Sequence, residues 1–471
     1  MRYVVTGGTG FIGRRVVSRL LDTRPDAEVW VLVRRPSLSR FEQLAADWGE
    51  RAKPLVGDLT AAGLGLTDRA VAELGNVDHV VHCAAVYDIT AGEPEQRAAN
   101  VEGTRAVIEL ARRLDATLHH VSSIAVAGEF RGEYTEADFD VGQLLPTPYH
   151  QTKFEAELLV RSTKGLRYRV YRPAVVVGDS RTGEMDKIDG PYYFFPLLAK
   201  LAALPRFTPI MLPDIGRTNI VPVDFVVNAI VELIHADGRD GQTFHLTAPK
   251  TIGLHGIYRG IADAAGLPPL RGSLPRSAAA PLLKVRGRAK VARNMVAAQL
   301  GIPGEVLDVV DLKPTFISDE TRKVLRDSGI DVPEFATYAP RLWRYWAEHL
   351  DPDRARRGDP GGPLVGGTSS SPALPAGSAG PRRSRWPHGE RRYSRWHATP
   401  RRSTNWSPRS ARPGVRPTPS PAMSPTLRRW STPSRTSWAG STTSTTWSTM
   451  PAGRSAAQWP THATGCTTTS A

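Results

Sequence analysis

The chain has 471 residues, enough for two or three domains with a sizeable core in each. Its formal charge of +15 would point to nucleic acid or anionic membrane, but fifteen arginines and one glutamate lie beyond residue 360, leaving 46 basic and 45 acidic side chains before it, a net of +1. The two cysteines, Cys83 and Cys466, fall one in each part, which excludes a disulfide framework or a paired-cysteine metal knuckle and fits a reducing cytoplasm.

The first predicted strand, 2–6, runs straight into "TGGTGFIG" at 6–13 and leaves no room for a signal peptide. Gly7, Gly10 and Gly13 form a G-x-x-G-x-x-G turn, with Phe11 and Ile12 opening the helix "FIGRRVVSRLL". Glycines there permit a tight turn and let backbone approach a pyrophosphate at the positive end of a helix. The second strand, 28–33, ends in Arg34 and Arg35, where an acidic residue would bind ribose hydroxyls and a basic one a 2′-phosphate. Guanidinium suits a phosphate dianion, so the pair predicts NADPH over NADH; the alternative is two solvated surface arginines. After the third strand, 53–56, Asp58 either contacts adenine or caps its own turn, with Leu59 beside it. The fourth strand, 79–83, delivers Ala84 to the same edge.

The helical pattern "EQRAANVEGTRAVIELARRL" carries Asn100 and leads to a fifth strand, 117–122, that stops at Ser122 and Ser123. A helix then opens with Tyr149 and Lys153, which at i and i+4 share one face. A phenol with an ordinary pKa near ~10 is a poor acid–base group at neutral pH, and a neighbouring ammonium favours its phenolate. The sequence therefore predicts Tyr149 as proton donor, Lys153 as the charge that tunes it and holds the ribose, and Ser123 as a donor to the substrate oxygen. Ser122 takes a structural hydrogen bond, and His82, His119 and His120 read as structural.

Further strands at 167–171 and near 243–246 complete an α/β fold of Rossmann type, a doubly wound parallel sheet. The alternation lapses over 178–222. The most apolar stretch, from Gly190, is broken by prolines and a lysine, so no membrane span and at most peripheral membrane contact are expected. Its Tyr192, Tyr193, Phe194, Phe195, Leu197 and Leu198 either line an acyl tunnel or form ordinary core. The predicted division is a nucleotide-binding domain over 1–248, with 179–222 joining a smaller, mostly helical substrate lobe over 249–357, and a disordered low-complexity tail over 358–471.

These residues resemble the extended short-chain dehydrogenase/reductase superfamily as far as about residue 355. Within it, "AAVYDIT" from Ala84, "RPAVVVGDSRTGEMDKIDGPYYFF" from Arg172, "NIVPVDFVVNAI" from Asn219 and "YAPRLWRYWAEHLDPD" from Tyr338 are similar to the first domain of bacterial two-domain fatty acyl-CoA reductases. The resemblance implies NADPH-dependent reduction of a long-chain fatty aldehyde, or acyl-CoA, to the alcohol, and a helix asparagine, here Asn100, supporting the lysine through water. A homodimer is left open, and no specific nucleic acid is expected. Two other readings stand beside it: a nucleotide-sugar epimerase or dehydratase built on the same residues, and a non-enzymatic NADP-sensing regulator that would not need the tyrosine and lysine.

Beyond residue 360 the chain loses all periodicity and contains no Ile, Phe, Lys or Asp. One reading is a basic arm for nucleic acid or acidic lipid. The other is a shifted reading frame. Taking the third base of one codon with the first two of the next, "SSPALPAGSA" from Ser370 can read V-I-T-G-A-S-S-G-I-G, and "WSTMPA" from Trp447 can read L-V-N-N-A-G. Both are hallmarks of a second, shorter reductase domain, in one frame and in the right order, and this second reading is the one expected.

Overall fold

The computed structural model describes residues 1–85, 92–186, 188, 190–213, 215–275, 293–295 and 312–353. The tail expectations, and most of the "AAVYDIT" segment, lie outside them. In chain order the elements are β1 (Arg2–Thr6), α1 (Phe11–Thr23), β2 (Glu28–Val33), α2 (Leu38–Trp48), β3 (Ala52–Val56), α3 (Asp68–Glu73) and β4 (His79–His82). There follow α4 (Glu93–Arg97), α5 (Gly103–Arg113), β5 (Thr117–Val121), β6 (Gly132–Tyr134), α6 (Pro148–Ser162), β7 (Tyr168–Pro173) and β8 (Val175–Val177). The remainder are α7 (Phe195–Ala202), β9 (Ile210–Pro213), β10 (Ile220–Pro222), α8 (Val223–His235), β11 (Thr243–Leu246), α9 (Leu254–Ala265), β12 (Leu270–Leu274), β13 (Pro314–Phe316), α10 (Asp319–Leu325) and α11 (Phe335–Tyr345).

Seven strands pair in the order β11-β7-β5-β4-β1-β2-β3, every pair parallel. Because successive side chains alternate across a sheet, Tyr3 and Val5 enter one core while Val4 enters the other. The first core is closed by α1, α2 and α8, the second by α5 and α6, so both faces are dry and the strands read as β-branched runs. Val16, Val17, Leu20 and Leu21 bury one side of α1, each contributing roughly 1.5–3 kcal/mol. Strand order reverses between β1 and β4, which opens a crevice at the carboxyl edge where ligands of such sheets bind.

A third core belongs to the smaller lobe, where Tyr192, Phe195 and Leu198 pack with Ile257, Tyr258 and Ile261 of α9 and with Tyr338, Leu342 and Trp346. Of the aromatic segment expected to be tunnel or core, Tyr192, Phe195 and Leu198 are therefore core, at 0–1% exposure. The lobe is not simply everything after residue 248. β13 pairs with β6, Leu325 of α10 enters the sheet's first core, and the Glu136 carboxylate accepts hydrogen bonds from the His245, Glu320 and Thr321 backbone amides. The chain thus returns to the sheet domain before α11 completes the lobe. Among the described residues no helix is long and apolar enough to cross a membrane.

Candidate active site

The turn between β1 and α1 is built for close approach. Gly7 has φ +71°, and a Cβ there would lie 2.7 Å from the Ala84 nitrogen; a Cβ on Gly13 would lie 2.2 Å from the Gly7 carbonyl oxygen. The Gly10 amide donates to Gly7 O at 2.9 Å, and α1 begins with no capping side chain and no acid in its first turn. Its leading amides are left to an outside anion, and the lack of side chains leaves room for a dinucleotide's pyrophosphate. These observations fit a dinucleotide cofactor.

The turn forms one wall of a cavity of about 730 Å³ at the crevice. Gly7, Gly10, Phe11, Ile12, Gly13, Arg34, Asp58, Leu59 and Ala84, all expected at the cofactor, line it. Arg35 does not: it is exposed and opens a 3-10 turn, while Ser37 lines the cavity instead. Asp58 caps its own turn, accepting from Thr60 N at 2.9 Å and Thr60 Oγ1 at 2.8 Å, while still reaching the cavity. Those hydrogen bonds, aided by Arg34, hold its carboxyl below the ordinary carboxylate range.

Across the cavity stand Ser123, Tyr149 and Lys153. Ser123 caps the short turn after β5, accepting from Ala125 N at 3.1 Å, which leaves its hydroxyl proton to donate. Thr147 caps α6 and so fixes where Tyr149 and Lys153 begin their shared face. Lys153, 3% exposed, donates to the Val121 carbonyl at 2.9 Å. Burial pushes its pKa down to about 8, against the pull of Glu157 and Cys83, so it remains mostly charged at neutral pH.

Asn100 is buried and is not among the residues lining the cavity. Its Nδ2 donates to Thr152 Oγ1 at 3.2 Å, fastening a π-helical turn (Ala98–Glu102) to α6 beside the lysine. None of His82, His119 and His120 is among the residues lining the cavity. Thr104 gives its hydroxyl proton to Asn100 O at 2.6 Å, so it accepts from His82 Nε2 at 3.0 Å, and His82 Nδ1 accepts from Thr6 at 2.6 Å. His119 bonds His79 and Tyr171 at the far side, and His120 lies against His82 with ring centroids 5.4 Å apart.

Sequence reasoning missed the layer beneath the site. Glu157 and Arg172, both 0% exposed, form an ion pair at 2.6 Å. The same carboxylate accepts from Arg161 Nε at 2.7 Å and from Ser122 Oγ at 2.7 Å, while Arg172 continues to Asp138 O and His245. Burial raises the Glu157 pKa, but Arg172, Arg161 and Ser122 together hold it below the ordinary range. A signal was available: Tyr149, Lys153 and Glu157 continue one i, i+4 stripe.

Residues 5–230, the stretch that supplies these walls, match the model of an NAD-binding family described as male sterility protein. A glycine betaine reductase of Emericella nidulans is 32% identical over 282 residues, 54% of this chain and 21% of its own length. An aldehyde reductase of Aspergillus flavus is 29% identical over 275 residues, 53% of this chain and 26% of its own. The chain thus spans only about a quarter or less of these relatives. Among solved structures, the terminal R domain of the myxalamid PKS-NRPS biosynthetic pathway superimposes with a TM-score of 0.61 at 26% identity, covering 74% of this chain and 90% of that one. A UDP-glucuronic acid 4-epimerase of Bacillus cereus, in complex with UDP-glucuronic acid and NAD, shares the fold at a TM-score of 0.53 and 16% identity, covering 74% and 99%. The family match and the parallel sheet together make residues 5–230 similar to the male sterility protein family and to the nicotinamide-binding reductases of the extended short-chain dehydrogenase/reductase superfamily.

Proposed function

We propose that this chain is an NADPH-dependent reductase that takes a long-chain aldehyde to the alcohol with one hydride, or its acyl thioester to the alcohol with two, the first expelling the thiol and leaving that aldehyde. The observation that carries the reading is the meeting of Ser123, Tyr149 and Lys153 with the glycine turn around one cavity. When bound, the dihydronicotinamide supplies a hydride to the carbonyl carbon. Ser123 donates a hydrogen bond to the carbonyl oxygen, and Tyr149 gives that oxygen its proton as the C=O π pair moves onto it. Lys153, charged and one helical turn away, stabilises the phenolate that remains and contributes a donor to the ribose. Arg34 supports NADPH over NADH, since it lines the nucleotide end of the cavity.

The substrate end supports an uncharged, apolar ligand. Beyond the serines its walls include Ala125, Pro173, Val175, Val176, Met185 and Leu312. Among the described lining residues the cations are Arg34, on the nucleotide side, and Lys153; Glu95 adds negative charge. Among those described residues a sugar nucleotide's diphosphate finds no cationic partner at the substrate end, which disfavours the epimerase reading. The chain length of the substrate rests on the resemblance to fatty acyl-CoA reductases, since the aromatic cluster at 192–198 is largely core. A second reading, favoured by the match to a terminal R domain, is that the acyl group arrives from a biosynthetic assembly of the PKS-NRPS kind. The test is consumption of NADPH by the purified chain with decanal and with decanoyl-CoA, beside conversion of UDP-glucose, a redox-neutral reaction read from its sugar products. Turnover of the first or second supports the reading, and turnover of the sugar nucleotide alone overturns it.

A further inference from the structure

The sequence placed a second phosphate-binding cation at Arg35, yet that residue stands off the cavity. Arg40, in the first turn of α2, does not line the cavity either, but it is fastened to a residue that does. Its Nε donates to the carbonyl of Thr9 at 3.0 Å, and Thr9 belongs to the glycine turn and lines the cavity, as do Arg34 and Ser37. The guanidinium is thereby anchored along one edge to the pyrophosphate turn. Its outer edge has a looser partner: Nη2 lies 3.7 Å from Asp186 Oδ2, beyond hydrogen-bond distance, with Arg40 54% and Asp186 25% exposed.

Asp186 does not depend on Arg40. Arg14 already holds the other oxygen of that carboxylate at 2.6 Å and also holds Glu184 at 2.7 Å, while Arg15 pairs with Glu184 at 3.1 Å. Between those two acids Met185 is buried and lines the cavity. A doubly charged phosphate at the rim would draw the free edge of Arg40 more strongly than a singly charged carboxylate that a nearer arginine already satisfies. We propose that Arg40, rather than Arg35, is the second specificity-determining cation for the cofactor's 2′-phosphate, and that Asp186 on the small-lobe loop competes with that phosphate for it. The inference rests on the NADPH reading above and deepens it by joining the adenosine end of the site to the loop that carries Met185.

The experiment is equilibrium binding of NADPH and of NADH to the full chain, free of substrate, for Arg40→Met, Arg40→Lys, Arg34→Met, Arg35→Met and Asp186→Asn. Met keeps the aliphatic stem of an exposed arginine, so folding is preserved and is checked by thermal melting. Arg40→Met is expected to weaken NADPH by about 10-fold, the scale of one charge-assisted hydrogen bond at an exposed rim, and NADH by less than about 2-fold. Arg40→Lys should recover part of the loss, and Arg35→Met should leave the NADPH-to-NADH ratio unchanged. Asp186→Asn should tighten NADPH by about 3-fold, an effect that shrinks as salt rises. If Arg34→Met lowers the ratio while Arg40→Met does not, the inference fails and the NADPH reading stands. If neither variant lowers it, both are overturned.

Discussion

Glu157→Gln tests how the buried layer supports the catalytic pair. The carboxylate it removes is shared by Arg172, Arg161 and Ser122, and neither Glu157 nor Arg172 reaches solvent. Removing one partner of a buried pair costs about 3–5 kcal/mol because the other charge is left uncompensated. Gln keeps an amide oxygen for one of the donors, so about 3 kcal/mol is expected, a large part of a domain stability of roughly 5–15 kcal/mol. A second effect follows from the sign of the Lys153 shift. Burial depresses its folded pKa to about 8 from an unfolded value of 10.5, and Glu157 opposes that depression. The ammonium is therefore present below about 8 and lost as pH rises through that value, and without Glu157 the loss comes at lower pH. Urea unfolding should show the stability change, and the pH profile of kcat/KM with decanal should show its basic limb moving down from about 8. A stability loss under ~1 kcal/mol, or a basic limb that stays or moves up, would refute the reasoning.

The two serines should separate by readout. Ser122→Ala deletes the hydrogen bond to Glu157 and should cost about 1 kcal/mol of stability with little change in rate, whereas Ser123→Ala loses its cap on Ala125 at a similar cost of about 1 kcal/mol but should also lower kcat by about 100-fold. The same effect from both would mean that Ser123 has no special role. For the tail, resequencing the gene around codons 355–368 should reveal a single-base insertion or deletion whose correction opens the frame encoding the glycine-rich turn and L-V-N-N-A-G. A confirmed sequence with no such frame returns the basic arm as the reading.

What the sequence made legible was local. β1, β2 and β11 lie where their β-branched runs put them, and β3, β4 and β5 differ by a single terminal residue. The glycine turn and the Tyr149–Lys153 face needed only turn geometry and a helical period. β7 runs two residues past its apolar signal, through Arg172 and Pro173, because Arg172 is buried by pairing with Glu157. That pairing, like the capture of Asn100 by Thr152 and the return of 312–325 to the sheet through Glu136, joins residues far apart in the chain, and no spacing rule reports it. Arg35 and Arg40 looked alike as letters; neither lines the cavity, but Arg40 is tied to its wall through the Thr9 carbonyl while Arg35 opens the turn at 35–37. The segment at 192–198 has the composition of either a tunnel or a core, and packing against α9 and α11 makes Tyr192, Phe195 and Leu198 core.

In the proposed reduction Tyr149 delivers the proton while bound NADPH supplies the hydride. Single-turnover oxidation of NADPH by decanal, in the native chain and in Tyr149→Phe with cofactor affinity measured in parallel, tests it most directly. Tyr149→Phe should bind NADPH within about 2-fold of the native chain but transfer hydride at least ~100-fold more slowly. Near-native transfer in Tyr149→Phe would contradict it, and no oxidation of NADPH by decanal or its CoA thioester in the native chain would end the reductase reading.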